Sequence, residues 1–148
     1  MAVLLLLPFG LTSCDRGANA QEEAARSFAD AVARNNQTTR DSMIATRKFK
    51  EYFENAYVAH DMLDWFRTFY DYQERKFRAP ARVDVDRDLK DELQGALLDT
   101  NAIEETGIVR VPAAVQGDQP AVFRMVKQRD HHWRVAMVTK GDAQVLLH

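Results

Sequence analysis

Four side chains in one stretch, Tyr57, His60, Asp61 and Asp64, have the types and the spacing for proton transfer. On a helix, His60 and Asp64 stand one turn apart, within imidazole–carboxylate reach, and Tyr57 lies one turn before Asp61. Gathered in a dry cavity, a tyrosine and a protonated acid would stabilise an enolate while a carboxylate moved the proton. On a solvated helix the same residues are ordinary exposed polarity, which is the expectation here. Trp65 and Phe69 follow on the same helix and would supply an apolar wall, so these six residues are the candidate pocket set, with no catalytic residue assigned. Metal chemistry has little to build on. His131 and His132 are adjacent at a strand end, where successive side chains point to opposite faces. Asp84, Asp86 and Asp88 alternate as in a calcium loop, but the sixth and twelfth positions, which need Gly and Glu, hold Leu89 and Gly95. No metal and no cofactor is expected.

The remaining reactive residue is Cys14, the single cysteine of 148 residues. One thiol excludes an internal disulfide, a thiolate zinc cluster and paired-cysteine redox chemistry. The formal net charge is −2, with 20 Lys and Arg against 22 Asp and Glu, so nothing holds a phosphate backbone and nucleic acid is not an expected partner. Before Cys14 runs an apolar stretch from Ala2 to Leu11, about half of the ~20 residues needed to cross a bilayer, which reads as the core of a signal peptide. The tetrad Leu11-Thr12-Ser13-Cys14 resembles the lipobox of bacterial lipoproteins. That resemblance implies cleavage before Cys14, a diacylglycerol on its sulfur and a membrane partner reached through the lipid. It divides the chain into a signal peptide (1–13), an anchored tether (14–20) and one domain (21–148). Asp15, directly after the cysteine, resembles the signal that retains such proteins at the inner membrane. The expected location is the cell envelope, on the periplasmic face of the inner membrane where the host has two membranes.

Between Ala18 and Ala79 there is no Gly or Pro, which marks helical territory. Ala24, Phe28 and Val32 recur at helical spacing, predicting a first helix over 21–34 that ends at Asn35 and Asn36. Thr38 or Thr39 would cap a second, with Met43, Ile44, Phe49 and Phe53 inward and a break between Asn55 and His60. Ten of the fourteen aromatic residues fall between Phe49 and Phe77, so the helices are aromatic on several faces and something must cover them: a sheet, an apolar small molecule, a second copy of the chain, or the membrane surface. A short strand near Val83 and a helix over 88–98 with Leu89, Leu93, Ala96 and Leu97 inward come next.

The last third alternates clearly. Runs from Val109, from Val122 and from Trp133, separated by turns at Gly117-Asp118 and at Asp130, predict a three-stranded antiparallel meander. Turns centred on Asp118 and Asp130 would set Val111 against Met125, Ala113 against Phe123, Met125 against Val135 and Phe123 against Met137. Pro112 predicts that the first of these strands is an edge or carries a bulge, and Trp133 is expected against Phe66 or Phe69. The fold class is therefore α+β, with N-terminal helices packed on a C-terminal antiparallel sheet of three to four strands. This order, with its closing hairpin Val-Phe-Arg-Met-Val-Lys, turn, His-Trp-Arg-Val-Ala-Met-Val, resembles the nuclear-transport-factor-2-like (cystatin-like) superfamily over roughly residues 21–140. The resemblance implies a fold used by isomerase-like and cyclase-like enzymes and by many lipoproteins without activity. The expected function is a non-catalytic interaction or scaffold domain tethered to the envelope, binding an envelope protein. A small-molecule pocket and an isomerase- or cyclase-like enzyme are the alternatives.

Overall fold

The structure, a computed structural model, describes residues 9–84, 89–93, 95–99 and 102–142, with side chains described from residue 18 onward. Most of the expected signal peptide, the Asp86 and Asp88 positions and the side chains of Cys14 and Asp15 lie outside that description.

Helix α1 runs over Phe9–Ala33, beginning well before the 21–34 read from the sequence, so the backbone of the expected tether is helical. No proline lies within it, and isolated glycines such as Gly10 and Gly17 cost only about 1 kcal/mol each relative to alanine. It ends in a Schellman turn: Asn35 takes a left-handed φ of 57°, the Asn36 N–H donates to Ala31 O at 2.8 Å and the Asn35 N–H to Val32 O at 3.1 Å. The Arg67 guanidinium covers the Ala33 carbonyl as well, at 2.7 and 3.0 Å.

The expected second helix is divided twice. α2 (Gln37–Ser42) is capped by Asn36 rather than by a threonine, α3 (Arg47–Glu54) by Thr46, and α4 (Ala56–Phe69) by Asn55. The break at Asn55 is the one read from the sequence. The break at 43–46 is not, and its cause is tertiary: these residues leave the helix to pair with the sheet. The Ala45 N–H donates to Val135 O and the Val135 N–H to Met43 O, both at 2.8 Å. On its other side the segment meets residues 96–98, through Leu98 N–H to Ala45 O at 2.9 Å. The helical pattern also stops sooner than expected after Phe69. There Asp71 accepts the N–H groups of Gln73 and Glu74 and folds the chain into a ribbon of β1 (Tyr70–Asp71) and β2 (Lys76–Phe77).

The main sheet has the order β3-β4-β5-β6 and is antiparallel throughout. It comprises β3 (Arg82–Asp84), β4 (Ile103–Val111), β5 (Ala121–Gln128) and β6 (Trp133–Lys140), with α5 (Leu89–Leu93) between the first two. The fold is α+β, as the sequence implies. α5 is shorter than the 88–98 expected, and Gly95 follows it with φ +82°. β4 is not an edge, because β3 flanks it, but its register does shift between Ile103 and Glu105, far from Pro112, which falls just past its end; the loop to β5 is longer than a tight turn. Val111 therefore faces Ala121, and Val109 faces Phe123. Met125 does face Val135, but a bulge at Ala136 shifts the rest, so Phe123 faces Val138.

The core lies between sheet and helices and is largely aromatic. The Phe28 ring is 5.6 Å from Phe49 and 5.9 Å from Phe66, and Phe123 sits 5.8 Å from Phe66 and 5.9 Å from both Phe69 and Phe77. Phe123 thus occupies the place expected of Trp133. Trp133, at the far end of the hairpin, is buried under Lys127, whose ammonium lies 5.8 Å from the ring centre. The bulge is completed by Thr46, whose hydroxyl donates to Ala136 O at 2.6 Å and accepts the Phe49 N–H at 3.3 Å.

Chemical denaturation of three variants checks this packing. Phe123→Ala should cost about 3–5 kcal/mol and Trp133→Ala clearly less. Thr46→Val should cost about 1–3 kcal/mol by orphaning Ala136 O and the Phe49 N–H, whereas Thr46→Ser should retain most of the stability. At Gly107 an added Cβ would stand 2.0 Å from Gln21 Oε1, so Gly107→Ala should destabilise, and a Gln21→Ala background should remove most of that penalty.

Candidate functional site

The proton-transfer candidates do not converge in the core. Helix α4 carries Tyr57, His60, Asp61 and Asp64 on its outer side: Tyr57 is 85% exposed, Asp61 is exposed, and the His60 Nε2 to Asp64 Oδ2 ion pair of 3.3 Å joins side chains 72% and 62% exposed. Pairs in that setting contribute little. Trp65 and Phe69, one to two turns further along, face differently. They line a cavity of about 470 Å³ with Thr68, the 113–119 loop, Ala121 and Lys140. The Lys140 ammonium stands 5.3 Å from the Trp65 ring centre, and Val115, 64% exposed, lies on the loop opposite. Apolar surface, one cation and the Asp118 carboxylate suit recognition better than bond making.

His60 instead borders a second cavity, about 590 Å³, between the α1–α2 turn and the start of α4. Its wall is Phe53, Ala56, Ala59 and Leu63, and its floor is Arg40, a buried arginine. Nothing in the sequence singles out Arg40. It reads as one more charge on a short helix, and only the return of α3 lays Phe53 beneath it, 4.4 Å from the guanidinium carbon.

Two further groups have shifted acidities. Tyr70, almost fully buried, donates to Asp30 Oδ1 at 2.9 Å, and Asp30 also takes Arg34 Nε at 2.9 Å. Burial first, then the hydrogen bond to Asp30, raises the Tyr70 phenol well above its usual range. The pair lines neither cavity and serves to tie α1 to β1. At the β5–β6 turn the Arg134 guanidinium, and after it the His132 N–H, lower Asp130 to about 2. In the same turn His131 Nδ1 contacts Glu104 Oε2 at 3.0 Å while His132 is exposed, so the histidines share no site. Among the described residues no three His, Cys, Asp or Glu side chains gather as metal ligands, and no helix is long and apolar enough to cross a membrane. The backbone of Cys14 and Asp15 belongs to α1.

No protein family, no curated protein and no solved structure matches this chain.

Replacing His60, Asp61 and Asp64 together by Ala should change stability by no more than about 1 kcal/mol in thermal melts. Because the folded-state pKa of Tyr70 is raised, its contribution is complete below the ordinary phenol value near 10 and is lost as pH rises through the folded value. The alkaline decline in melting temperature should therefore flatten in Tyr70→Phe, which is itself less stable at neutral pH by about 1 kcal/mol. Asp130 has the opposite sign. Its contribution is complete above about 4 and fades toward about 2, so Asp130→Asn should weaken the acid dependence in that window.

Proposed function

We propose that this chain is a lipid-anchored protein of the bacterial cell envelope whose domain, of nuclear-transport-factor-2-like architecture, is a non-catalytic interaction module. The observation that carries the non-catalytic reading is the filling of the space between sheet and helices. Phe28, Phe66, Phe69 and Phe123 occupy it at ring spacings of 5.0–5.9 Å, and the acid–base trio stands outside in solvent. The anchoring rests on the lipobox-like Leu11-Thr12-Ser13-Cys14, and Asp15 supports retention at the inner membrane. The continuity of α1 adds a geometric corollary: seven helical residues from Cys14 advance about 10 Å, so the domain would ride close to the bilayer. The groove bordered by Trp65, Val115 and Lys140 is the face offered to an envelope protein, because it combines an accessible indole, an exposed valine and a cation that enters no ion pair among the described residues. Its volume of about 470 Å³ also favours a second reading, an apolar small molecule held against Trp65.

Two measurements test the proposal. Membrane fractionation with fatty-acid labelling should show acyl mass on Cys14 and release of Cys14→Ser; unlabelled wild-type protein in the soluble fraction refutes the anchor. A photocrosslinking amino acid at Val115 should yield one discrete envelope-protein adduct that Trp65→Ala abolishes and that the same probe at Tyr57 does not give. No adduct at Val115 alongside saturable quenching of Trp65 by small apolar compounds would favour the second reading.

A further inference from the structure

Arg40 is 6% exposed, yet its hydrogen-bonding capacity is only partly used by the protein. Nε donates to Asp41 Oδ1 at 2.9 Å, and the flat face of the guanidinium lies 4.4 Å over Phe53. Nη1 and Nη2 have no hydrogen-bond partner among the described residues. Neither is sealed away, since the buried unpaired side-chain atoms are Gln21 Oε1 and Arg134 Nη1 alone among those residues. Nη1 and Nη2 therefore keep four N–H donors, two of them side by side on the end of a planar cation that lines the cavity of about 590 Å³. Leaving such donors to water inside a mostly buried site forfeits the strongest hydrogen bonds a guanidinium makes, those to a carboxylate in the two-pronged geometry.

We propose that this cavity binds a small amphiphilic monocarboxylate, its carboxylate on Arg40 Nη1 and Nη2 and its apolar body along Ala56, Ala59 and Leu63. The volume falls in the range of small-molecule pockets. The acids in the lining limit the charge of the ligand: Asp41 already takes Arg40 Nε and Glu54 stands exposed at the rim, so a single carboxylate binds as a second acceptor on the guanidinium and a further negative charge would meet Glu54. His60, also at the rim, is occupied by Asp64. The site is separate from the Trp65 groove and does not depend on the lipid anchor.

Octanoate is the probe, with octan-1-ol and octylammonium as controls, followed by heteronuclear NMR on the folded domain. Octanoate should give saturable shifts of the Arg40 Nε–Hε resonance and the Leu63 methyls, with a Kd on the order of 0.1–1 mM, while the controls give none. Arg40→Lys, which keeps the charge and loses the fork, should weaken binding about 10-fold, and Glu54→Gln should tighten it a few-fold. Ala59→Phe, which fills the cavity and leaves the Arg40 side chain in the protein, should abolish the shifts in a protein whose spectrum remains dispersed, and it guards against misfolding of the arginine variant. Equal response to octanoate and octanol, preference for octylammonium, or octanoate shifts that survive Ala59→Phe would each overturn the proposal.

Discussion

The edge of the sheet at β6 is closed by four residues, 43–46, and most of the architecture follows from that closure. β6 has a neighbour on one side only, and its bulge at Ala136 leaves a carbonyl that no strand can reach. Main-chain bonds to Val135 and the Thr46 hydroxyl on Ala136 O satisfy that edge from within the chain. Because Thr46 caps α3 with the same oxygen, one buried hydroxyl fixes both the sheet edge and the direction in which α3 departs. α3 then brings Phe49 and Phe53 back over α1, and Phe53 forms the seat of Arg40.

The aromatic core determines where recognition can occur. In a fold of this outline the region between sheet and helices is the natural place for a ligand, and here rings touch one another from Phe28 to Phe123 across it. Open space is left at the periphery, beside Trp65 and at the helix junction beside Arg40. Both places pair a flat aromatic side chain with a cation, at Trp65–Lys140 and Phe53–Arg40, but they differ in wetness: Lys140 is exposed and Arg40 is not.

Periodicity made the class of the fold legible, because alternation from Val109 onward and helical spacing around Phe28 each point to one element type. Element boundaries were less legible wherever a distant partner set them. The break at 43–46 answers to β6, about ninety residues away, and the end of α4 answers to the turn built on Asp71. Register depended on loop lengths: a bulge at Ala136 moved Phe123 from Met137 to Val138, and the longer loop after Pro112 moved Val111 from Met125 to Ala121. At the sites, Trp65 and Phe69 were legible as aromatic residues on one helix, and they share a cavity. Tyr57, His60, Asp61 and Asp64 had sound spacing, but spacing within a helix cannot say which way its face turns. Arg40 was invisible, since a buried arginine is defined by what folds over it.

The bond from Thr46 to Ala136 spans 90 residues of chain, so it can form only once nearly the whole chain is present. The helical half can form its local turns as soon as it emerges and its rings can meet one another, but Phe66 and Phe69 gain Phe123 only when the final hairpin has arrived. A chain threaded through a membrane from its N-terminus would expose Phe28, Phe49 and Phe66 for nearly the whole passage, with β6 delivered last. The hairpin supplies the sheet side of the core, and a chain cut short before Trp133 would lack Val135, Ala136 and Met137 and, with them, the partners of residues 43–46.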